Sequence, residues 1–197
     1  MAISYPLDLP THTGIQSISF RARNVVSVSR SPFSMAQQVV AHAGMCWEAD
    51  LTLPPMNEAN AEKWTGWLNA LRGQYGTFLL GPPLADSPQG TATSLTITGS
   101  AGDTSVTADV NSGSATLLRG DYFSLGSGAS TRLYQVTLDK TGDGTLEIWP
   151  SLRATASTAT GDLTYPKSRF RLASNEQNWD ISSDGFYNIS FSAIEAI

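Results

Sequence analysis

Alternation of apolar and polar residues is the dominant pattern along this chain. Between residues 15 and 30 one phase of a two-residue period is apolar, and its members are Ile18, Phe20, Ala22, Val26 and Val28. The opposite phase is mostly polar and contains Ser17, Ser19, Arg21, Arg23, Ser27 and Ser29. Because successive side chains of a strand point to opposite sides of its sheet, the pattern predicts one long half-buried strand, or two strands in register.

The same alternation returns twice. The first repeat places Met45, Trp47, Ala49, Leu51 and Leu53 on one side, and Pro54-Pro55 predicts its end because proline has no N–H for a ladder. The second lies in the C-terminal part and consists of Phe170, Leu172, Trp179, Ile181, Tyr187, Ile189 and Phe191. Both repeats indicate further strands of a two-sided sheet.

One segment has the period of a helix instead. Apolar residues recur at spacings of three and four, at Ala61, Trp64, Leu68 and Leu71. Asn57 is a suitable N-cap and Gly73 a suitable C′ residue, so a helix is predicted over about residues 57–72. Gly66 lies inside this helix. Either it allows another backbone to approach closely, or it has no particular role. A short apolar strand is predicted next, over residues 77–80.

The composition changes near residue 85, where Gly, Ser, Thr and Ala become frequent. Five short apolar segments follow, separated by Gly- and Asp-rich turn signals at 99–103, 126–130 and 139–144. The segments span residues 95–97, 106–110, 122–125, 133–138 and 146–149. This spacing predicts a small β-barrel of the OB or SH3 kind.

The predicted fold is therefore mainly β, with one packed helix. Because the first and last parts of the chain share one pattern, residues 1–84 and 166–197 are predicted to form one β-domain. Residues 85–165 are predicted to form a small barrel inserted into it. Three consecutive pieces without a shared sheet are the alternative.

Charge and hydropathy exclude several functions. Only 15% of the 197 residues are charged and the net charge is −5, which argues against a nucleic-acid-binding protein. No apolar run reaches 18 residues, so no membrane insertion is expected. The segment from Met1 to Pro6 lacks the features of a signal peptide, which predicts a soluble protein made in the cytoplasm.

The candidate chemistry is sparse, and no catalytic, cofactor-binding or metal-ligating residues are predicted. Cys46 is the single cysteine, and neither His12 nor His42 places it in a cysteine-hydrolase context. Arg119-Gly120-Asp121 spells an adhesion tripeptide but is expected to be a turn before a strand. The run from Asp139 to Gly144 resembles a calcium loop, yet proline stands at the twelfth position, where glutamate is needed.

Large aromatic and aliphatic side chains supply the remaining candidates. Four of them, on or just after the helix, are candidate subunit-interface or helix-packing residues: Trp64, Trp67, Leu71 and Phe78. Three on the predicted barrel are candidates for binding a sugar or a host surface: Tyr122, Tyr134 and Trp149.

Several short motifs resemble the distal tail proteins of long-tailed (siphophage-type) bacteriophages. They are Leu53-Pro54-Pro55-Met56, the segments 64–68 and 71–82, and the later pieces 120–123, 133–136, 150–153 and 170–172. The resemblance implies a tail-tube-like β-domain with a packed helix that forms a ring, usually a hexamer, between tail tube and tip. Some members of that family carry an additional OB-type barrel.

The resemblance also implies a function. The chain is expected to be a non-enzymatic structural virion protein of the tail tip. Its expected partners are copies of itself, the tail tube protein and tail hub or tip proteins, and DNA passes through the lumen without specific binding. One alternative is a carbohydrate- or host-surface-binding β-module of a phage tail. A hydrolase that uses turn carboxylates such as Asp139 and Asp143 is another.

Overall fold

The computed structural model describes residues 3–11 and 14–197. The predictions that concern Met1, Ala2 and His12 lie outside these residues. In chain order the elements are β1 (Ser17–Arg30), β2 (Gln37–Thr52), α1 (Glu58–Ala70), β3 (Phe78–Leu80), β4 (Leu95–Gly99), β5 (Ser105–Val110), β6 (Thr116–Leu117), β7 (Tyr122–Leu125), β8 (Arg132–Val136), β9 (Lys140–Thr141), β10 (Gly144–Trp149), β11 (Ala156–Asp162), β12 (Ser168–Leu172), β13 (Trp179–Ile181) and β14 (Tyr187–Glu195). The predicted class, mainly β with one helix and a small barrel, is confirmed.

The first and last strands of the chain share one antiparallel sheet. Its order is β1-β2-β14-β12-β3, and β13 pairs with a further part of β14. The alternation read from the sequence holds at the centre of this sheet, where Trp47, Ala49 and Leu51 are buried. On the opposite side Arg21 contacts Asp50 at 2.9 Å and Arg23 contacts Glu48 at 2.9 Å, so that side carries charge.

Helix α1 covers the apolar side of the sheet and buries Ala61, Trp64 and Leu68. The Asn57 side chain accepts a hydrogen bond from the Asn60 N–H at 3.3 Å, which confirms the predicted N-cap. The C-terminus differs slightly from the prediction. Leu71 is the C-cap, and Arg72 takes up the left-handed conformation (φ 53°) one residue before Gly73 (φ 65°).

Gly66 has open space around the position of a missing Cβ. A close backbone approach therefore does not explain it within the chain. We expect Gly66→Ala to raise the free energy of unfolding by about 1 kcal/mol, because alanine restricts the unfolded backbone and favours the helix. Gly76→Ala is the control with the opposite sign, since a Cβ there would lie 2.7 Å from the Leu71 carbonyl oxygen. Urea unfolding measures both, and a destabilised Gly66→Ala variant would contradict the prediction.

Six of the eight strands between β3 and β12 form a closed antiparallel barrel of order β10-β5-β4-β11-β7-β8, and β6 and β9 pair with each other in a separate two-stranded sheet. The five predicted strands are present, but the barrel has a sixth, β11, which the sequence did not reveal. That strand reads Ala-Ser-Thr-Ala-Thr-Gly-Asp, and its register with β4 is irregular between Ala156 and Ala159. Strand β11 carries no large apolar residue, so it shows no alternation of large apolar and polar side chains.

The barrel packs directly against the sheet. Leu133 belongs to the sheet's core cluster, and Tyr122 and Trp149 pack against that cluster. The Trp47 indole N–H donates to the Leu133 carbonyl at 3.1 Å. Arg153, just after β10, forms a 2.8 Å ion pair with Glu195 at the end of β14. The division of the chain into domains at residues 84/85 and 165/166 stays a prediction.

Within residues 3–11 and 14–197, no helix combines the length and the apolar character that crossing a bilayer requires.

Candidate functional site: an exposed β-hairpin arm

The far half of the β1–β2 hairpin extends away from the sheet. We call residues 24–45 the arm. Strand β2 pairs with β14 only from Glu48 to Thr52, so in the arm β1 and β2 pair only with each other. Seven residues of β1 lie in the arm, and at about 3.3 Å per residue they span roughly 20 Å. Apart from partly buried Ser31 and Met45, every residue of the arm is exposed.

The two faces of the arm differ in polarity. Residues paired across an antiparallel ladder lie on the same face, and the pairs Val26–Ala41 and Val28–Val39 make one face apolar. Val28 is 60% exposed and Val39 59%. The opposite face is more polar and is formed mainly by Ser27, Ser29, Gln38 and His42, together with Val25 and Val40. The residues of this apolar face continue the apolar phase of β1 and β2, and closer to the sheet the same phase faces the core.

The turn at the end of the arm is apolar as well. Phe33 is 98% exposed and Met35 is 62% exposed. The turn is held from within by the Ser31 side chain, whose oxygen accepts hydrogen bonds from the Phe33 and Ser34 N–H groups at 3.3 Å. It therefore presents two large apolar side chains on an ordered loop.

An irregularity separates the arm from the sheet. The register changes between the pairs Asn24–Met45 and Val26–Ala41, so strand β2 has two more residues there than β1. A Cβ at Gly44 would lie 2.8 Å from Val25 Cγ2, so glycine lets the two strands approach closely. On the barrel side, the Trp149 indole N–H donates to Asn24 Oδ1 at 2.7 Å. The base of the arm is thus fixed by a specific bend and a specific contact.

Several features of the arm indicate that it binds another chain. A two-stranded hairpin alone is only marginally stable in water, because it cannot bury enough apolar surface. Both of its edges carry unpaired backbone N–H and C=O groups, and such edges readily pair with another chain. Clusters of exposed apolar residues mark interaction sites on soluble proteins. We therefore identify the arm as the candidate functional surface.

The four helix-associated candidates lie away from the arm. Trp64, Leu71 and Phe78 are buried in the sheet's core cluster, so their side chains do not form part of the exposed surface. Trp67 is half-buried, its ring lies edge-on to Phe78 at 5.0 Å, and its indole N–H donates to the Asp8 carbonyl at 2.9 Å. These residues pack the helix onto the sheet.

The three barrel aromatics do not form a shared exposed surface. Tyr134 is 1% exposed, so its prediction as a surface-binding residue is wrong. Its ring stacks on Phe123 at 5.4 Å inside the barrel, its hydroxyl oxygen accepts from the Arg153 N–H at 3.0 Å, and burial raises its pKa. Tyr122 and Trp149 are half-buried between barrel and sheet.

The adhesion tripeptide forms a turn, as predicted. Asp121 is buried, and its carboxylate accepts hydrogen bonds from the N–H groups of Gln89, Gly90 and Leu118 at 2.7, 3.2 and 2.8 Å. A carboxylate held in this way is not available to a receptor. Gly120 has a φ of 100°, which favours glycine at that position.

The remaining candidate reactive groups also have structural roles. Asp139 accepts from the Arg119 N–H at 2.7 Å, and Asp143 accepts from the Val110 N–H at 2.9 Å. Burial, followed by the charge of Glu48, raises the pKa of the half-buried Cys46 thiol, which disfavours the reactive thiolate. Among the residues that the structure describes, no cluster of three or more His, Cys, Asp or Glu side chains is arranged to hold a metal ion.

The sequence predicted the first strand of the arm but not its exposure, and it predicted no strand over residues 37–44. A signal was present, because Val25-Val26 and Val39-Val40 place apolar residues in both phases on either side of the segment 31–36. Two β-branched runs on either side of a short segment that contains serine and proline are typical of a hairpin. No protein-family model matches this chain, and no curated protein matches its sequence.

Proposed function

We propose that this chain is a structural subunit that assembles with copies of itself through the arm. The observation that carries the proposal is the apolar face of the arm, formed by Val26, Val28, Val39 and Ala41, which no described part of the chain covers. A neighbouring copy that covers this face and pairs with an arm edge would remove both apolar and backbone groups from water.

The specific assembly that we propose is the distal tail ring of a long-tailed bacteriophage. The resemblance of residues 53–56 and 71–82 to that family supports it, and so does a mainly β fold with a helix packed on one sheet. Identical subunits that each offer an arm and receive one form a closed ring when their rotation closes, and six copies are the family's usual number. Tail tube and hub or tip proteins are the proposed partners on its two sides, at the tail tip of the virion.

The negative net charge of the chain suits this function. With a net charge of −5, a ring of this chain would not bind a passing DNA strand strongly, since both carry negative charge. No catalytic role is proposed, because the turn carboxylates Asp139 and Asp143 are engaged by backbone N–H groups. The alternative of a sugar-binding barrel has less support, since Tyr134 is buried and Tyr122 and Trp149 pack against the sheet.

The test measures assembly of the purified chain and of an arm variant. We expect native mass spectrometry and negative-stain microscopy at high micromolar concentration, with tube and hub proteins added if needed, to show closed rings. The triple variant Val26→Thr/Val28→Thr/Val39→Thr keeps the branched shape of each side chain but replaces a methyl with a hydroxyl. It should stay monomeric with an unchanged circular dichroism spectrum, because the three side chains are exposed in the monomer.

The matched control places the same residue type on the other face of the arm. The double variant Ser27→Thr/Ser29→Thr should assemble like the unmodified chain. If the unmodified chain remains a monomer with and without tube and hub proteins, the proposed function is wrong. If rings form equally well from the triple variant, the arm is not the surface that builds them.

A further inference from the structure

A cavity of about 350 Å³ lies where the barrel meets the end of strand β14. Its walls are largely apolar and include Leu125, Ala156, Ala159 and Ile197, together with the ring of Tyr134. Two arginines, Arg132 and Arg153, also line it. This volume lies at the lower end of the range of small-molecule sites in proteins. An apolar pocket with a few convergent polar groups is the usual form of such a site.

Among the side chains around this cavity, positive charge exceeds negative charge. Arg132, Arg153 and Arg169 lie near one another and near Glu195, and among the described residues only Arg153 forms an ion pair with that carboxylate. The hydrogen bonds of Arg132 go to the carbonyl oxygens of Ala129 and Thr131, and those of Arg169 go to the carbonyl of Ala196. Burial, and next the charge of Arg169, lower the pKa of Arg132. In a chain whose net charge is −5, this surplus of cations is a local exception.

Arg153 adds an independent observation. Its side chain is 10% exposed, and its Nε is buried without a hydrogen-bond partner, although one terminal nitrogen contacts both Glu195 and the Met45 carbonyl. Buried donors of native proteins nearly always have a partner, so this guanidinium is only partly satisfied within the chain. A guanidinium presents several N–H groups in one plane, which suits a carboxylate acceptor.

We propose that this cavity binds a small organic carboxylate with a short apolar chain. The carboxylate lies between Arg132 and Arg153 and supplies the missing negative charge, and the chain occupies the apolar part beside Ala156 and Ala159. An inorganic anion leaves that apolar part without a partner, and a neutral alcohol leaves the arginines unneutralised. The proposal rests on the cavity alone and is independent of assembly through the arm.

The test uses the full chain and hexanoate as the probe, with hexan-1-ol and inorganic phosphate for comparison. Titration followed by NMR or calorimetry should show saturable binding of hexanoate and at least tenfold weaker binding of the other two compounds. Removing a charge-assisted hydrogen bond from a site weakens binding by about tenfold or more, so Arg132→Gln should have at least that effect. Arg132→Lys should retain part of the affinity, since it keeps the charge.

Two further variants separate binding from folding. Ala159→Leu fills the apolar part of the cavity and should abolish hexanoate binding while the chain remains folded, as judged by its circular dichroism. Arg171→Gln is the matched control, because Arg171 lies on β12 and does not line the cavity. The proposal is overturned if hexanoate shows no saturable binding at millimolar concentration, if hexan-1-ol or phosphate binds as tightly, or if Arg132→Gln and Ala159→Leu both bind hexanoate normally.

Discussion

Replacing Glu195 with alanine is expected to lower the free energy of unfolding by about 3–5 kcal/mol, the usual effect of removing one partner of a buried ion pair. The Glu195 side chain is fully buried. Its two carboxylate oxygens accept hydrogen bonds from the Trp47 N–H at 3.2 Å, the Ser168 hydroxyl at 3.1 Å and Arg153 at 2.8 Å. Alanine would leave the Arg153 charge and the Trp47 N–H buried without this partner.

Urea unfolding followed by tryptophan fluorescence measures this effect. Glu48→Ala is the matched control, because Glu48 pairs with exposed Arg23 on the outer side of the sheet, where ion pairs contribute about 1 kcal/mol or less. The double variant Arg153→Met/Glu195→Leu should recover much of the lost stability, because it removes both charges and restores apolar volume. A loss for Glu195→Ala no larger than that for Glu48→Ala would show that this ion pair does not hold the barrel to the sheet.

The second large effect is expected for Asp121→Ala, which should lower the free energy of unfolding by about 3 kcal/mol. Its carboxylate satisfies three backbone N–H groups, and a single hydrogen bond to a charged acceptor contributes about 1.5–3 kcal/mol. Two of the donors, Gln89 and Gly90, lie in the connection from β3 to β4. A Cβ at Gly90 would overlap the Thr116 carbonyl oxygen, so the chain passes closely here and has little room to rearrange.

Asp121→Asn is a more conservative substitution at the same site. It keeps one acceptor oxygen in place and should lose less stability than Asp121→Ala. Asp139→Ala is the control, since Asp139 accepts one hydrogen bond, from the exposed Arg119 N–H, and should lose about 1 kcal/mol or less. Equal unfolding midpoints for the Asp121→Ala and Asp139→Ala variants would contradict the structural role given to Asp121.

The sequence predicted those elements whose side chains face one core. Trp47, Ala49 and Leu51 follow a strict period of two, and Ala61, Trp64 and Leu68 follow the helical period, so each pattern names its own element. Strand β7 was predicted with the bounds that the structure gives, because a Gly-Asp turn precedes it and Gly126 follows it. Periodicity and turn residues were sufficient to predict these elements.

Predictions were wrong where both faces of a strand pack against apolar cores. They were also wrong where no part of the chain covers the apolar face of a strand. Leu133 and Tyr134 are neighbours on β8, yet both are buried, because Leu133 packs into the sheet core while Tyr134 points into the barrel. Alternation alone assigns one of them to solvent. The arm shows the opposite case, since Val26 and Val28 continue an apolar phase beyond the last residue that the chain itself covers. Periodicity indicates which side a residue faces, but not whether the same molecule lies there.

The hydrogen bond between Trp149 and Asn24 links the barrel to the direction in which the arm points. Trp149 lies at the end of the barrel strand β10, and Asn24 lies where the hairpin leaves the sheet. A load applied to the outside of the barrel would therefore be transmitted through this hydrogen bond to the base of the arm. In the ring that we propose, the neighbouring subunit bound to that arm would receive part of this load.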